Sequence, residues 1–143
     1  MSADALLVYY SGSGKTREIA RLIERVTDCD IEEIKTVLPY DNDPDKIGKS
    51  LYRPELVPFE HNIEDYGIVI IGSPVWNNDI PAPVLAFLES RDWKGVKVFP
   101  FFSTGGIFTT PYSIILNICK GASVSEPLYV IYDKNGRYVR IQE

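Results

Sequence analysis

The chain has 143 residues, 45% hydrophobic and 24% charged, which suits one globular domain and excludes a disordered chain. Its formal net charge of −5 excludes a general nucleic-acid or anionic-membrane binder, because both need a basic face. One bound phosphate stays open, since backbone N–H groups can hold it without cationic side chains.

No stretch approaches the roughly 20 apolar residues of a membrane span. Met1 to Ala5 carries an acid and no base, so it does not read as a secretory signal, and the expected compartment is the cytoplasm. Cys29 and Cys119 show neither Cys-x-x-Cys nor zinc spacing and are expected as two reduced thiols.

Ala5 to Tyr10 is a short apolar run without alternation, as expected of a strand buried on both faces of a parallel sheet. Ser11 to Gly14 follows as a small-residue turn. Ile19, Leu22, Ile23 and Val26 then recur at helical spacing, with Arg17, Glu18, Arg21 and Glu24 filling the other face. This predicts a helix ending near Thr27. Cys29 to Val37 predicts a weak edge strand, because its apolar content is thin. Pro39 to Pro58 is irregular, with a short helix expected around Pro44 to Leu51.

Tyr66 to Gly72 is β-branched and nearly uncharged, the pattern of a central strand. Ser73 to Pro81 is a loop, and Pro83 suits the first turn of a helix with Val84, Leu85, Phe87 and Leu88 inward. Val96 to Phe102 predicts another strand, although Pro100 is awkward within a ladder. Ser103 to Gly106 is a glycine loop. Pro111 to Lys120 predicts a helix with Ile114, Ile115 and Ile118 inward and Gly121 as its cap. Leu128 to Ile131 is the last apolar strand, which Asp133 to Gly136 can turn into a hairpin with Tyr138 to Ile141. Strand–helix alternation calls for a parallel sheet with helices on both faces.

In such a sheet the loops after the strands gather at their carboxyl ends, where ligands bind. Three loops qualify: Ser11 to Thr16, Ser73 to Asp79 and Ser103 to Phe108. In the first, Ser11, Ser13 and Thr16 offer hydroxyls, while Gly12 and Gly14 let the backbone curl around a phosphate at the helix N-terminus. Lys15 either adds a cation or is solvated on the first turn. A nucleoside-triphosphate P-loop is excluded by spacing, because its first glycine would fall on Tyr9.

Tyr9 to Thr16 resembles the phosphate loop of flavodoxins. Ile71-Gly72-Ser73-Pro74-Val75-Trp76 with Pro81 to Val84 resembles their second flavin loop and following helix, and Phe101 to Gly106 their third. Tyr52 to Leu56 also looks like a segment of small bacterial and archaeal members. The resemblance covers roughly residues 5 to 131. It implies a flavodoxin-like three-layer α/β sandwich with a five-stranded parallel sheet of order 2-1-3-4-5, and FMN as cofactor. By position, Ser11, Gly12, Ser13, Gly14, Lys15 and Thr16 would hold the FMN phosphate. Ser73, Pro74, Val75, Trp76, Asn77 and Asn78 would border the ribityl chain and the ring. Ser103, Thr104, Gly105 and Gly106 would close the other side, mainly through backbone groups.

Trp76 is the expected wall for a flat apolar ring, Phe108 a lesser one, and Tyr10 a core residue. Asn77 or Asn78 can adopt positive φ, which would let a loop carbonyl turn toward a reduced flavin and favour one-electron chemistry. Asp79 would repel added negative charge and lower the potential. His61 is expected on the surface. The acids of Asp41 to Asp45 and Glu60 to Asp65 are expected as solvated faces that could dock a basic redox partner.

The pattern departs from the family at its end. Only 12 residues follow Ile131, and they read as a hairpin where a flavodoxin has its last helix. One sheet face is then partly bare, to be covered by the hairpin or, as expected here, by a second subunit in a homodimer. The functional expectation is a one-electron carrier between redox enzymes. The alternatives are an FMN-dependent NAD(P)H oxidoreductase and a flavodoxin-like binding or regulatory module without flavin.

Overall fold

The structure, a computed structural model, describes residues 4–38, 53–76 and 78–142. The helix expected over 44–51, Tyr52 and Asn77 lie outside the described residues. In chain order the elements are β1 (Ala5–Tyr9), α1 (Lys15–Thr27), β2 (Asp30–Glu33), β3 (Ile68–Pro74), α2 (Ala82–Glu89), β4 (Lys97–Thr104), α3 (Thr110–Ile118), β5 (Ser123–Val124), β6 (Leu128–Tyr132) and β7 (Tyr138–Gln142).

One sheet runs in the order β2-β1-β3-β4-β6-β7, with β5 also paired to β4. Every pairing is parallel except β6 with β7. Strands β5 and β6 are two pieces of one fifth strand, so the parallel part has the expected order. The break has a cause in β4. Val98 directs its carbonyl to Ser125 N–H, so Pro100, two residues on, faces the same neighbour but has no N–H to donate. The neighbour adjusts there: Val98 pairs with Val124 and Phe101 with Leu128, leaving one extra residue on the fifth strand.

Strand β2 lies at the sheet edge, as its acidic sequence predicts, but is shorter than expected. Beyond it Ile34 is buried, and its N–H bonds the Tyr9 carbonyl. The middle strand β3 reaches Pro74, further than the expected Gly72. Gly72 there is a packing requirement: a Cβ on it would lie 2.2 Å from Phe101 Cζ.

The C-terminal hairpin forms as expected. Asp133 Oδ1 accepts from the N–H groups of Asn135 and Arg137, and Gly136 takes φ 79. The loop is thus a three-residue turn with its glycine in the left-handed region.

The two sheet faces are covered unequally. On one, Phe87 and Leu88 of α2 and Ile115 of α3 pack over Val8, Ile71 and Phe102. On the other, α1 lays Ile19 and Ala20 over Leu7, Tyr9, Phe101 and Val130. Among the described residues α1 is the only helix on that face. The helical spacing placed Leu22 and Val26 in the core; they are instead 51% and 85% exposed, because no other helix among the described residues closes that flank. The hairpin does not fold over the gap; β7 extends the sheet edge instead.

Candidate functional site

The three expected loops emerge at one edge, the carboxyl ends of β1, β3 and β4. In the first, Gly14 stands at the N-cap of α1 with φ 100, a left-handed conformation that suits glycine. Ser11 Oγ accepts from the N–H groups of Gly14 and Arg17. The N–H groups of Ser13, Lys15 and Thr16 have no acceptor among the described residues. Gly12 and Ser13 are exposed and Thr16 is buried. A helix N-terminus with free N–H groups and no side chain in the way of the Gly14 turn has the donors that an anionic oxygen cluster needs.

Lys15 does not extend over this loop. Its ammonium donates to the Gly136 carbonyl and stands 5.3 Å from the ring centre of Tyr138 and 5.9 Å from that of Tyr132. The Tyr138 hydroxyl in turn donates to the Lys15 carbonyl at 3.3 Å. The hairpin is therefore clasped to the start of α1. Separation by more than 100 positions hid this from sequence reasoning, although the aromatic residues flanking the turn were a signal.

The second loop folds into a tight reversal. Trp76 N–H bonds Asp79 O, and Asp79 N–H bonds Trp76 O. Asn78 has φ 57, the positive value anticipated for one of the two asparagines. Its Nδ2 donates to Thr110 Oγ1 at the start of α3, tying the second loop to the segment after the third. Asp79 Oδ1 accepts from Ile80 N–H at 2.7 Å. Trp76 is half-buried and meets Tyr10 edge-on, with ring centres 5.9 Å apart. Tyr10 is a core residue, as expected.

The third loop is held by Thr104, whose hydroxyl donates to Gly106 O and accepts from Gly106 N–H. Phe108, partly exposed, lies near Gly106, and its carbonyl accepts from the Tyr129 hydroxyl. Burial raises the Tyr129 phenol above its ordinary pKa, so the group stays a donor.

The expected site residues separate into two layers. Val75, Trp76, Asn78, Gly105 and Gly106 border open space. Ser73, Pro74, Ser103 and Thr104 support that edge from beneath, because the last residues of β3 and β4 are covered on both faces. Ser73 Oγ is spent on the Pro74 carbonyl, and Ser103 Oγ is buried without a partner.

Elsewhere, His61 is not the solvated side chain expected. Its Nδ1 pairs with Glu32 Oε1, which also accepts the N–H groups of Glu60 and His61, because the acidic end of β2 lies beside this turn. Both cysteines are free and buried, and burial pushes the Cys119 thiol up to about 12. No group of three or more His, Cys, Asp and Glu among the described residues is placed to hold a metal ion, and no helix among them is long and apolar enough to cross a membrane.

A doubly wound sheet with unpaired N–H groups at one helix start, Trp76 on the second loop, and Gly105, Gly106 and Phe108 on the third is an α/β architecture of the kind that binds ligands at its carboxyl edge. The sequence profile of flavodoxins matches residues 4–111, and the chain belongs to that family. Among solved structures it is similar to the Lactobacillus acidophilus flavoprotein in complex with FMN, at 24% identity and TM-score 0.73 over 90% of this chain and 93% of that one. It is also similar to oxidised Flavodoxin 1 of Bacillus cereus, at 25% identity and TM-score 0.56 over 90% and 84%. An archaeal flavodoxin aligns at 19% identity and TM-score 0.59 over 90% and 83%. No curated protein sequence matches significantly.

Proposed function

We propose that this chain binds FMN at the carboxyl edge of the sheet and serves as an electron carrier between redox enzymes. The observation that carries the reading is the start of α1, where unpaired N–H groups of Ser13, Lys15 and Thr16 surround a left-handed Gly14. These donors fit a phosphomonoester, whose oxygens accept several hydrogen bonds at once. The hydroxyls of Ser11, Ser13 and Thr16 are the side chains at hand for the same group.

FMN, when bound, supplies reversible one- and two-electron chemistry. The chain's own residues bind, orient and tune. Trp76, with its edge fixed by Tyr10, offers a flat apolar wall on one side. The Gly105 backbone, in the loop that the Thr104 hydroxyl holds through Gly106, offers polar groups on the other. Asn78 keeps the Trp76–Asp79 turn in a conformation that most residues resist. Asp79 brings a negative charge to the same edge, which opposes further negative charge nearby.

The test is optical and cheap. Purified protein should absorb in the blue and take up one equivalent of added FMN with bleaching of flavin fluorescence. Protein that stays colourless and refuses added FMN would replace this reading with a flavin-free binding module. Steady NAD(P)H consumption without any partner protein would replace the carrier with a reductase.

A further inference from the structure

The face beside α1 is the largest feature that the proposed cofactor site does not use. Two adjoining grooves, of about 620 and 450 Å³, meet at Ile23 and Leu128. The first is floored by Ile68, Ile70 and Phe99, the second by Val130, Val139 and Ile141. Phe99 is 42% exposed, Val139 58% and Ile141 68%. Of the described residues lining both grooves, only Glu126 is charged.

We infer that this face is a homodimer interface in which the apolar sides of two C-terminal hairpins pack on each other about a twofold axis. Three features select a second copy. Leu22, Phe99, Tyr138, Val139 and Ile141, each 40% to 68% exposed, line one continuous apolar face, a feature that marks an interaction surface. Pairing two copies doubles the apolar surface that leaves water, which moves the contact toward the size of a specific interface. The patch is nearly uncharged, so it lacks what a basic redox protein or an anionic membrane would recognise, and its match is an equally apolar surface. This chain itself carries one, and an isologous contact uses the same patch twice.

The geometry also accommodates it. Packed sheets and a helix packed on a sheet stand about 10 Å apart, so a partner's β6–β7 ribbon fits the seat next to α1. There it meets Leu22, which lines the second groove and is half exposed. The outward side of α1, with Arg21 paired to Glu24, stays at the rim. The loops at the carboxyl edge remain open, so cofactor binding and dimerisation are separable.

Sedimentation equilibrium with FMN added tests this directly. At about 50 μM the protein should show twice its 16.2 kDa mass. Ile141→Glu and Leu22→Glu should each return the monomer mass with unchanged far-UV circular dichroism, since both side chains are already exposed within one chain. Leu116→Glu, exposed on α3 away from this face, should remain dimeric. A wild-type monomer at that concentration overturns the inference, as does a dimer indifferent to both substitutions. A monomer that floats with zwitterionic liposomes would assign the face to a lipid surface and overturn it too.

Discussion

Phe102 on one side of β4 is fully sealed under α2 and α3, whereas Phe99 on the other side is 42% exposed. Both are phenylalanines on the same strand, three residues apart. The same contrast holds for Ile115, buried on α3, and Ile141, 68% exposed on β7. An apolar side chain signals that a covering element is wanted, not that this chain supplies it. On the first face two helices meet the demand. On the second, α1 covers only part of the sheet, and the hairpin extends the sheet rather than shielding it.

Truncations on the two sides of β4 should break the contrast most sharply if it is wrong. Phe102→Ala should cost about 3–5 kcal/mol, read from denaturant midpoints, because it opens a cavity in a sealed core. Phe99→Ala should cost under about 1 kcal/mol in a monomer, since that ring is already half in water. Equal losses, measured on protein diluted to its monomer, would show that the faces are not different in kind.

The half-covered face has one tightly built spot, where Phe101 lies against Gly72. Gly72→Ala should destabilise by about 1–3 kcal/mol, since its methyl would overlap the Phe101 ring. Adding Phe101→Leu should recover part of that loss, and a strictly additive pair would rule out the clash.

Lys15→Met should cost about 1 kcal/mol by removing a hydrogen bond and two ring contacts. The loss should appear as faster amide exchange in the β6–β7 hairpin, with little change in FMN affinity if the Lys15 backbone, and not its ammonium, serves the phosphate. A large loss of affinity with an unaltered hairpin would reverse that assignment. Asp79→Asn should leave stability nearly unchanged, since the amide oxygen can still accept from Ile80 N–H, and should raise the flavin potential by on the order of tens of millivolts. A potential that does not move would remove Asp79 from the tuning of the site.

Most elements were legible because their signals are local. The uncharged Ile68–Ile71 run, the glycine loop before α1 and the Asp133–Gly136 turn each carry their conformation within a few residues. The positive φ of Asn78 was foreseeable for the same reason. What escaped depends on distant partners. Leu22 and Val26 keep helical spacing whether or not a neighbour arrives. Lys15 is directed by Tyr132, Gly136 and Tyr138, and His61 by Glu32.

The order of elements, the parallel sheet and the grouping of three polar loops at one edge follow from the chain's own periodicity and turn chemistry. These depend on backbone conformation and hydrophobic pattern within short windows. Folding in three dimensions settled which loop groups face open space, where the Lys15 ammonium goes and which apolar residues stay uncovered. Those outcomes are contacts between segments far apart in sequence, and no local pattern encodes whether the opposing surface is present.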